Sequence, residues 1–501
     1  MHAAACRRAL SAARPGWRTL GSHGRAASTW NVAIVGSGPS GFYTADSLLK
    51  GDPNVRVDIY ERLPVPFGLV RYGVAPDHQT VKNVTERFHQ IASDDRCSLL
   101  SNVLIADAPG AHGAAHVPLA TLREHYHAVV LAYGADADRT LGLPGEDLGG
   151  VHGAREFVEW YNGHPCSPNV GEDPFGLLSC ETAVVVGHGN VALDCARMLC
   201  STADQLRGET DVAAHAAAVL SESAVRQVVL LGRRGVLHAA FTIKELRELS
   251  KRAGASAHLM ADADAFNAEV LAAAAADRPR KRLTDLMQTL HDPAAADPPP
   301  PPPPTEDRAI RIQFQRVPVA FTPDASGERV GAVRLAKTAL EGAAAADQRA
   351  TPVGGSEYDL PCGLALRAVG YKSSPLDGAP FDARRSVVPS GAGGRVDGAA
   401  DLYAAGWLKR GPTGVILTNV NDAAETAAAV LADHAAGKLD APGGGGGEAI
   451  RGVLAAQAAP VLGFDAWKRI DALEIERGAA AGKVREKLVT LGEMLEAGRA
   501  A

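Results

Sequence analysis

The sequence contains no C-x-x-C pair. Its seven cysteines, Cys6, Cys97, Cys166, Cys180, Cys195, Cys200 and Cys362, are scattered. Zinc ribbons, cysteine-held iron–sulfur clusters and thioredoxin-type dithiols therefore lack their usual spacing, and no metal site is expected. Cys195 and Cys200 form a C-x4-C on an expected helix, where a separation of five points them to different faces, as two small buried thiols. No run of about 18 apolar residues exists, so no transmembrane helix is expected, while peripheral membrane contact stays compatible with the chain. Acidic residues are missing from the start: the first is Asp46, whereas residues 1–30 carry five arginines. That Arg-, Ala- and Ser-rich leader has the composition of an organellar transit peptide, taken as residues 1–29, and arginine over lysine favours the mitochondrion over the plastid. The whole chain carries a formal charge of −6, so without the leader's five arginines the remainder stands at −11. A mature chain this acidic is a poor general binder of nucleic acid or anionic lipid.

What is present is ordinary globular material. The chain has 501 residues, 46% apolar and 22% charged, which excludes collagen-like and wholly disordered readings. At roughly 100–200 residues per domain it accommodates two to four domains. Two segments are low-complexity. Pro298–Pro304 lies in an Ala/Pro/Asp insertion near 293–305 and reads as exposed polyproline helix; Gly443–Gly447 reads as a flexible spacer. Residues 465–498 read as an amphipathic helical tail that docks on the rest of the chain.

Between these segments one plan occurs twice. Trp30–Val35 reads as a strand, Gly36-Ser-Gly-Pro-Ser-Gly41 as its turn, residues 42–50 as a helix and Val55–Tyr60 as the next strand, ending at Glu61. A further strand, Ala128–Tyr133, leads to Gly134. In the second copy Thr182–Val186 is the strand, Gly187-His-Gly-Asn-Val-Ala192 the turn, residues 193–200 the start of a helix and Val225–Leu231 the next strand, ending at Gly232-Arg233-Arg234. Both are βαβ units with a glycine turn at the first joint. The expected class is therefore α/β with two Rossmann-like dinucleotide-binding domains.

The first turn is G-x-G-x-x-G in full context. Gly36 permits the tight turn, Gly38 lets the backbone approach a pyrophosphate, and Gly41 lets helix and strand pack closely. Pro39 and Ser40 stand between them, and the anion belongs at the helix N-terminus. Glu61, twenty residues beyond Gly41, can accept from the ribose hydroxyls of an unphosphorylated adenosine, which fits FAD or NAD and disfavours NADP. The second turn has Ala192 at its third position, and Arg233 and Arg234 replace the acid. A guanidinium fork matches phosphate oxygens. Charge-assisted bonds of roughly 1.5–3 kcal/mol each prefer NADP over NAD by very roughly 10²–10⁴-fold. The sites sort themselves: FAD first, NADP(H) second. Two such sites in one chain imply hydride traffic between the bound nucleotides, with the protein mainly positioning the rings and no side chain essential as acid, base or nucleophile.

The chain is similar to the adrenodoxin-reductase family of ferredoxin–NADP reductases. The resemblance runs from about residue 31 to 490 and is carried by VGSGPSGFYTA (Val35–Ala45), VPFGLVRYGVAPDH (Val65–His78), GNVALDCAR (Gly189–Arg197), GRRG (Gly232–Gly235), AFTIKELREL (Ala240–Leu249), RPRKRL (Arg278–Leu283), VGYKS (Val369–Ser373) and AGWLKRGPTGVI (Ala405–Ile416). It implies an FAD-binding domain in two segments, 30–135 and 367–501, with an NADP-binding domain, 136–366, inserted between them. For FAD it implies contacts from the first turn including Ser40, then Glu61, Leu69 and Ile105, with Trp407, Gly414, Val415 and Ile416 beside the flavin ring. Trp407 is a candidate aromatic plate with an N–H donor. For NADP it implies Gly187, Gly189, Asn190, Val191, Arg233, Arg234 and Glu245, with Gly414 shared. His78 and Asp194 match a polar pair near the flavin and are candidates for a proton relay. Lys50, Arg247, Arg278 and Arg282 match positions that meet an acidic 2Fe–2S ferredoxin; a locally basic face on an acidic protein can steer such a partner.

The implied activity is transfer of hydride from NADPH to FAD and of single electrons to an adrenodoxin-type ferredoxin, in the mitochondrial matrix, by a monomer with peripheral inner-membrane contact at most. The downstream use would be P450 chemistry or iron–sulfur and haem biosynthesis. Departures from the family pattern are His188 in place of glutamine, with an expected effect on cofactor closure or pH response, the wording of Gly235–Ala239, and the polyproline insertion beside the basic cluster. A flavin disulfide reductase would need a redox-active cysteine pair beside the flavin. A flavin monooxygenase would need an oxygen-activating pocket, and a redox-dead scaffold would have no use for two intact nucleotide turns.

Overall fold

The computed structural model describes residues 29–499 apart from residues 111, 168–172, 209, 253, 263, 293–298, 300, 302–307, 343–346 and 444. The transit-peptide leader and almost all of the polyproline insertion lie outside the described residues.

Two parallel sheets organise the chain. The first has five strands in the spatial order Leu402–Ala404, Ala128–Leu131, Trp30–Val35, Val55–Glu61, Cys97–Ser101. Every pairing in it is parallel, with Val32 opposite Ala128 and Val57 opposite Cys97. Its strands are nearly continuous apolar runs because helices cover both faces. Helix Pro39–Gly51 and helix Thr418–Ala435 pack together on one of them, with Phe42, Ala45 and Leu48 in a core shared with Ala427 and Val430.

The second sheet has six strands in the order Ala255–Met260, Arg308–Phe314, Gln227–Gly232, Thr182–Val186, Leu364–Arg367, Val151–Gly153, again all parallel. An antiparallel sheet of Arg316–Pro323, Val330–Glu341, Arg349–Pro352 and Tyr358–Pro361 interrupts it before the chain returns at Leu364. The chain crosses between the two parallel sheets twice, and the crossings pair with each other: Tyr371–Lys372 runs antiparallel to Ala137–Asp138.

Both expected βαβ units are present, with strands Trp30–Val35 and Thr182–Val186 at the anticipated bounds. The helices begin earlier than anticipated, at Pro39 and Asn190, because the turn glycines Gly38 and Gly189 are themselves the N-caps. Proline at the first helical position sacrifices no hydrogen bond there. The helical tail is built of two helices, Phe464–Ala480 and Leu491–Arg499. The chain doubles back at Gly482 (φ +69°), and a Cβ on Gly478 would overlap the backbone of Arg485. One expectation needs correction: the end of the glycine run is not a free spacer. Gly446 and Gly447 open helix Gly446–Ala455 and are buried, since side chains there would run into Asn31 and the Asp58 carboxylate.

Candidate functional site

The two glycine turns sit at the carboxyl ends of the central strands of their sheets, where open α/β sheets bind ligands. Gly36 has φ +110°, and a Cβ there would press on the Ala132 carbonyl. A Cβ on Gly41 would overlap the Gly36 carbonyl oxygen, so helix and strand touch through backbone alone. A Cβ on Gly38 would meet nothing within 4 Å. The turn is thus packed tight on two glycines and open at the third, where a diphosphate must approach. The helix behind it has no side-chain N-cap bond and no acid in its first turn, leaving its amides available to an anion.

Glu61 ends the neighbouring strand and is nearly buried. Its Oε2 accepts from the Ser37 hydroxyl at 2.5 Å and the Ser37 N–H at 3.3 Å, and its Oε1 accepts from the Leu63 N–H at 3.0 Å. Oε1 keeps a lone pair for a ribose hydroxyl, and the carboxylate's position is set before any ligand arrives. These residues suit an FAD adenosine diphosphate half.

A second loop closes over this turn. Phe67, with φ +86°, donates its N–H to the Ser37 carbonyl at 3.1 Å, and Gly68 would place a Cβ 3.3 Å from the Cα of Gly38. A phenylalanine in the left-handed region is strained by roughly 1–3 kcal/mol. Its ring holds it there, packed 5.5 Å from Phe42, 5.7 Å from Phe88 and 5.3 Å from Trp467. Leu69 opens the short helix Leu69–Tyr72 that follows, and Ile105 lies buried in strand Val103–Ile105. The strain at Phe67 was not expected; the P-F-G turn wording at 66–68 was its only trace in the sequence.

The segment 405–420 brings the far end of the chain to the same place. Gly406 (φ +70°) leaves no room for a side chain beside the Ser40 hydroxyl, and its N–H donates to Asp422. Ser40 in turn donates to Asn419 Oδ1 at 3.0 Å. Gly414 has φ +86° and stands with Val415 on the exposed rim of the loop, beside half-buried Ile416. The expected free N–H of Trp407 is in use: it donates to the Thr413 carbonyl at 3.2 Å and braces the loop. Tyr371 lies 5.9 Å from the Trp407 ring.

The second turn repeats the packing. Gly187 has φ +137° and faces the Ala368 carbonyl, while a Cβ on Gly189 would meet nothing within 4 Å. Asn190 Oδ1 accepts from the Thr242 N–H at 2.9 Å, tying this turn to helix Ile243–Ser250; Val191 packs half-buried on the core behind it. Arg233 and Arg234 follow strand Gln227–Gly232 with exposed side chains, and neither has an acidic partner among the described residues. Two unpaired guanidiniums beside an uncapped helix N-terminus fit a phosphorylated adenosine ribose and a diphosphate. His188 turns inward over Gly232, its Nε2 3.3 Å from the Leu230 carbonyl and its ring 4.5 Å from Phe314. Burial pushes it down to about 4, so it stays neutral across the physiological range, against the expected pH response.

A polar cluster lies where the segment 76–82 meets the helices Asn190–Leu199 and Ile243–Ser250. His78 and Asp194 both belong to it but do not bond each other. His78 Nε2 donates to Glu248 Oε2 at 2.7 Å and lies 3.6 Å from Glu245. Asp194 accepts from Arg197 at 2.7 Å, and Arg197 also holds Asp77 at 2.6 Å. Burial raises the Asp194 carboxyl despite Arg197, and burial plus the Asp194 charge raises Glu245. Glu245 thus faces this cluster. Glu248, Arg197 and Asp77 are additions that only the tertiary arrangement reveals.

These turns and guards find close parallels. The family described as pyridine nucleotide-disulphide oxidoreductase matches residues 30–269. The chain is 46% identical over 476 residues to a protein of Salvelinus fontinalis named NADPH:adrenodoxin oxidoreductase, mitochondrial, over 95% of this chain and 92% of that one. A human protein of the same name is 46% identical over 468 residues, 93% and 91% of the two chains. FprA of Mycobacterium tuberculosis, solved in complex with NADPH, is similar with a TM-score of 0.83 at 36% identity, over 94% of this chain and 100% of that one. The chain belongs to the adrenodoxin-reductase family. It is an FAD- and NADP(H)-dependent oxidoreductase.

Every described cysteine is free, and burial pushes Cys180 up to about 11 and Cys97 and Cys200 up to about 12. Thiols this hard to ionise are poor nucleophiles. The residues expected to meet a ferredoxin divide into two places. Arg278 and Arg282 lie one turn apart on helix Arg278–Leu290, exposed, and this helix packs on helix Ile243–Ser250, which carries exposed Arg247. Lys50 stands apart on helix Pro39–Gly51, bonded to Asp46 at 2.7 Å.

Proposed function

We propose that this chain takes reducing equivalents from NADPH and passes them singly to an acidic 2Fe–2S ferredoxin of the adrenodoxin type, with residues 30–135 and 367–501 binding FAD and 136–366 binding NADP(H). One observation carries the reading: two open glycine turns, one guarded by a fixed carboxylate and the other by two free guanidiniums. Bound FAD supplies the conversion between a two-electron donor and a one-electron acceptor. The protein's own work is placement. The amides after Gly38 and Gly189 take the diphosphates, Glu61 selects an unphosphorylated ribose, and Arg233 with Arg234 selects a phosphorylated one. The 405–420 loop, braced by Trp407, Ser40 and Asp422, forms the floor where the two nucleotides meet. Asp194 and Glu245, whose carboxyls burial raises, stand beside His78 as the candidate proton relay.

The ferredoxin docks on the face of Arg247, Arg278 and Arg282. The relatives' mitochondrial names and the basic leader support action in the matrix. The protein works as a monomer. No helix among the described residues is long and apolar enough to cross a membrane, and any contact with the inner membrane is proposed as peripheral.

Purified protein is expected to be yellow, to bleach anaerobically with NADPH, and to reduce an adrenodoxin-type ferredoxin at a rate that falls with salt. Arg278→Glu with Arg282→Glu should slow ferredoxin reduction at least about tenfold while sparing ferricyanide reduction. Equal loss of both activities would remove the docking assignment, and colourless protein that takes up no flavin would remove the whole reading.

A further inference from the structure

The two sheets are joined covalently only by the paired crossings at 137–138 and 371–372. Two short strands make a narrow joint, yet nucleotides held by different halves must meet with sub-ångström consistency. A second attachment exists on another part of the chain, and the C-terminal tail builds it.

The tail first anchors to the half that carries Glu61. Glu474, fully buried, accepts from Arg71 at 2.5 and 2.9 Å, from Arg485 at 2.9 Å and from the Leu488 N–H at 2.9 Å. Arg71 belongs to the short helix opened by Leu69, just after the strained Phe67–Gly68. The turn between the two tail helices then reaches the other half. Lys483 donates to the Val212 carbonyl at 2.5 Å, and Glu486 accepts from Ala214 N–H at 3.0 Å, at the start of helix Ala214–Ser221. Lys487 donates to Asn162 Oδ1 at 3.0 Å and lies 3.1 Å from Asp211.

These partners lead back to the first half. Asp211 also holds Lys82 at 2.6 and 2.8 Å, and Asn162 donates to the carbonyls of Tyr72 and Val74 at 3.2 Å. Lys82, Asp211 and Lys487 are all nearly inaccessible: their side chains are 11%, 5% and 1% exposed. Burial opposes ionisation of Asp211, but the ammonium groups of Lys487 and Lys82 outweigh it and hold the carboxyl below its ordinary range. The segment 72–82, clamped at both ends by this junction, carries His78 into the polar cluster of the second half.

We propose that the tail is a buried clamp, in which Lys487, bridging Asp211 and Asn162, sets the alignment of the FAD-binding half against the NADP-binding half and is a positioning residue for hydride transfer. A fold-stabilising tail alone needs only its apolar face, Trp467, Ile470 and Met494, all of which pack on the first half. Lys483 and Glu486 are directed to the second, and Lys487 spans both, donating also to the Arg71 carbonyl at 3.4 Å. The proposal rests on the NADPH-to-FAD reading, which the colour and bleaching of the unaltered protein test separately.

The test is Lys487→Met in the full-length holoprotein. It keeps the length of the side chain, and Lys82 stays on Asp211. The expected result is unchanged flavin content, a KM for NADPH within twofold of the parent, and at least a tenfold slower anaerobic bleaching at saturating NADPH. Arg469→Ala, which removes a tail bond made only to the Gly498 carbonyl, should leave that rate alone. Should Lys487→Met not fold, Lys483→Met with Glu486→Gln tests the same junction by the same rate. A lowered melting temperature with an unchanged bleaching rate would overturn the proposal, because the tail would then only stabilise. Loss of flavin, or a raised KM at unchanged rate, would overturn it as well, since the defect would lie in binding rather than alignment.

Discussion

The two glycine turns share one backbone and differ in what occupies the position between their first two glycines. Ser37 stands in the first, and its hydroxyl and amide hold the Glu61 carboxylate in place while its carbonyl anchors the strained Phe67. His188 stands in the second, folded inward over Gly232 with its Nε2 toward the Leu230 carbonyl. One guard is fixed in advance and the other is left loose. This matches the chemistry: FAD stays bound through turnover, whereas NADP(H) must enter and leave, and binding energy spent on rigidity is best placed on the ligand that remains.

The largest test of this contrast exchanges what each turn loses. A Cβ at Gly38 or Gly189 meets open space in the protein, so Gly38→Val and Gly189→Val should both fold. Gly38→Val should emerge colourless. Gly189→Val should emerge yellow, with kcat/KM for NADPH reduced at least about 100-fold, or ~3 kcal/mol. If both variants lost flavin, the assignment of one nucleotide to each turn would fail. A smaller effect isolates the guard. Arg233→Ala with Arg234→Ala should lower kcat/KM for NADPH by very roughly 10²–10⁴-fold and hardly change that for NADH, from bonds of roughly 1.5–3 kcal/mol each. Equal losses with the two donors would mean the arginines hold the diphosphate rather than the 2′-phosphate.

The contrast was readable in the sequence because it rests on local patterns: glycine spacing, strand periodicity, and the residue at the end of the next strand. What was not readable depends on contacts between distant segments. Trp407 carries a legible ring, but its N–H is taken by Thr413 through the loop's curvature. His78 and Asp194 were expected as a pair, yet His78 turns to Glu248, on a helix that packing brings to it, while Asp194 takes Arg197 from its own helix. The glycines at 446 and 447 imitate a linker in composition and are in fact places where a helix end meets the sheet too closely for side chains. The tail's break into two helices follows from the same cause at Gly478.

The seam between the halves offers a test of middling size. Asp138 lies in one of the two crossings, and burial, against the pull of Arg155, raises its carboxyl to about 6. Because the folded value lies above the unfolded one, protonated Asp138 favours the fold; its contribution is complete at pH below about 4 and is lost as pH rises through about 6. Asp138→Asn should therefore raise stability by about 1–3 kcal/mol at pH 7–8, a gain of a few degrees in melting temperature, and give almost none at pH 4. A gain of the same size at both pH values would mean that ionisation of Asp138 is not what strains the crossing.

The smallest expected effect belongs to His188, which stands between the first two glycines of the second turn. Its ring fills the space over Gly232 against Phe314, and its titration has been pushed down to about 4. A lowered histidine favours the fold in its neutral form, so its contribution is present above the unfolded value near 6.5 and is lost only as pH falls toward 4. Between pH 6.5 and 8 nothing about it changes. His188→Gln should therefore leave kcat/KM for NADPH within about threefold of the parent and its pH profile flat over that range, by steady-state assay with ferricyanide. A new inflection between pH 6.5 and 8 in the parent that vanishes in the variant would place the ring at the nucleotide instead, and the loosely held second turn would then have a pH-dependent guard that the first lacks.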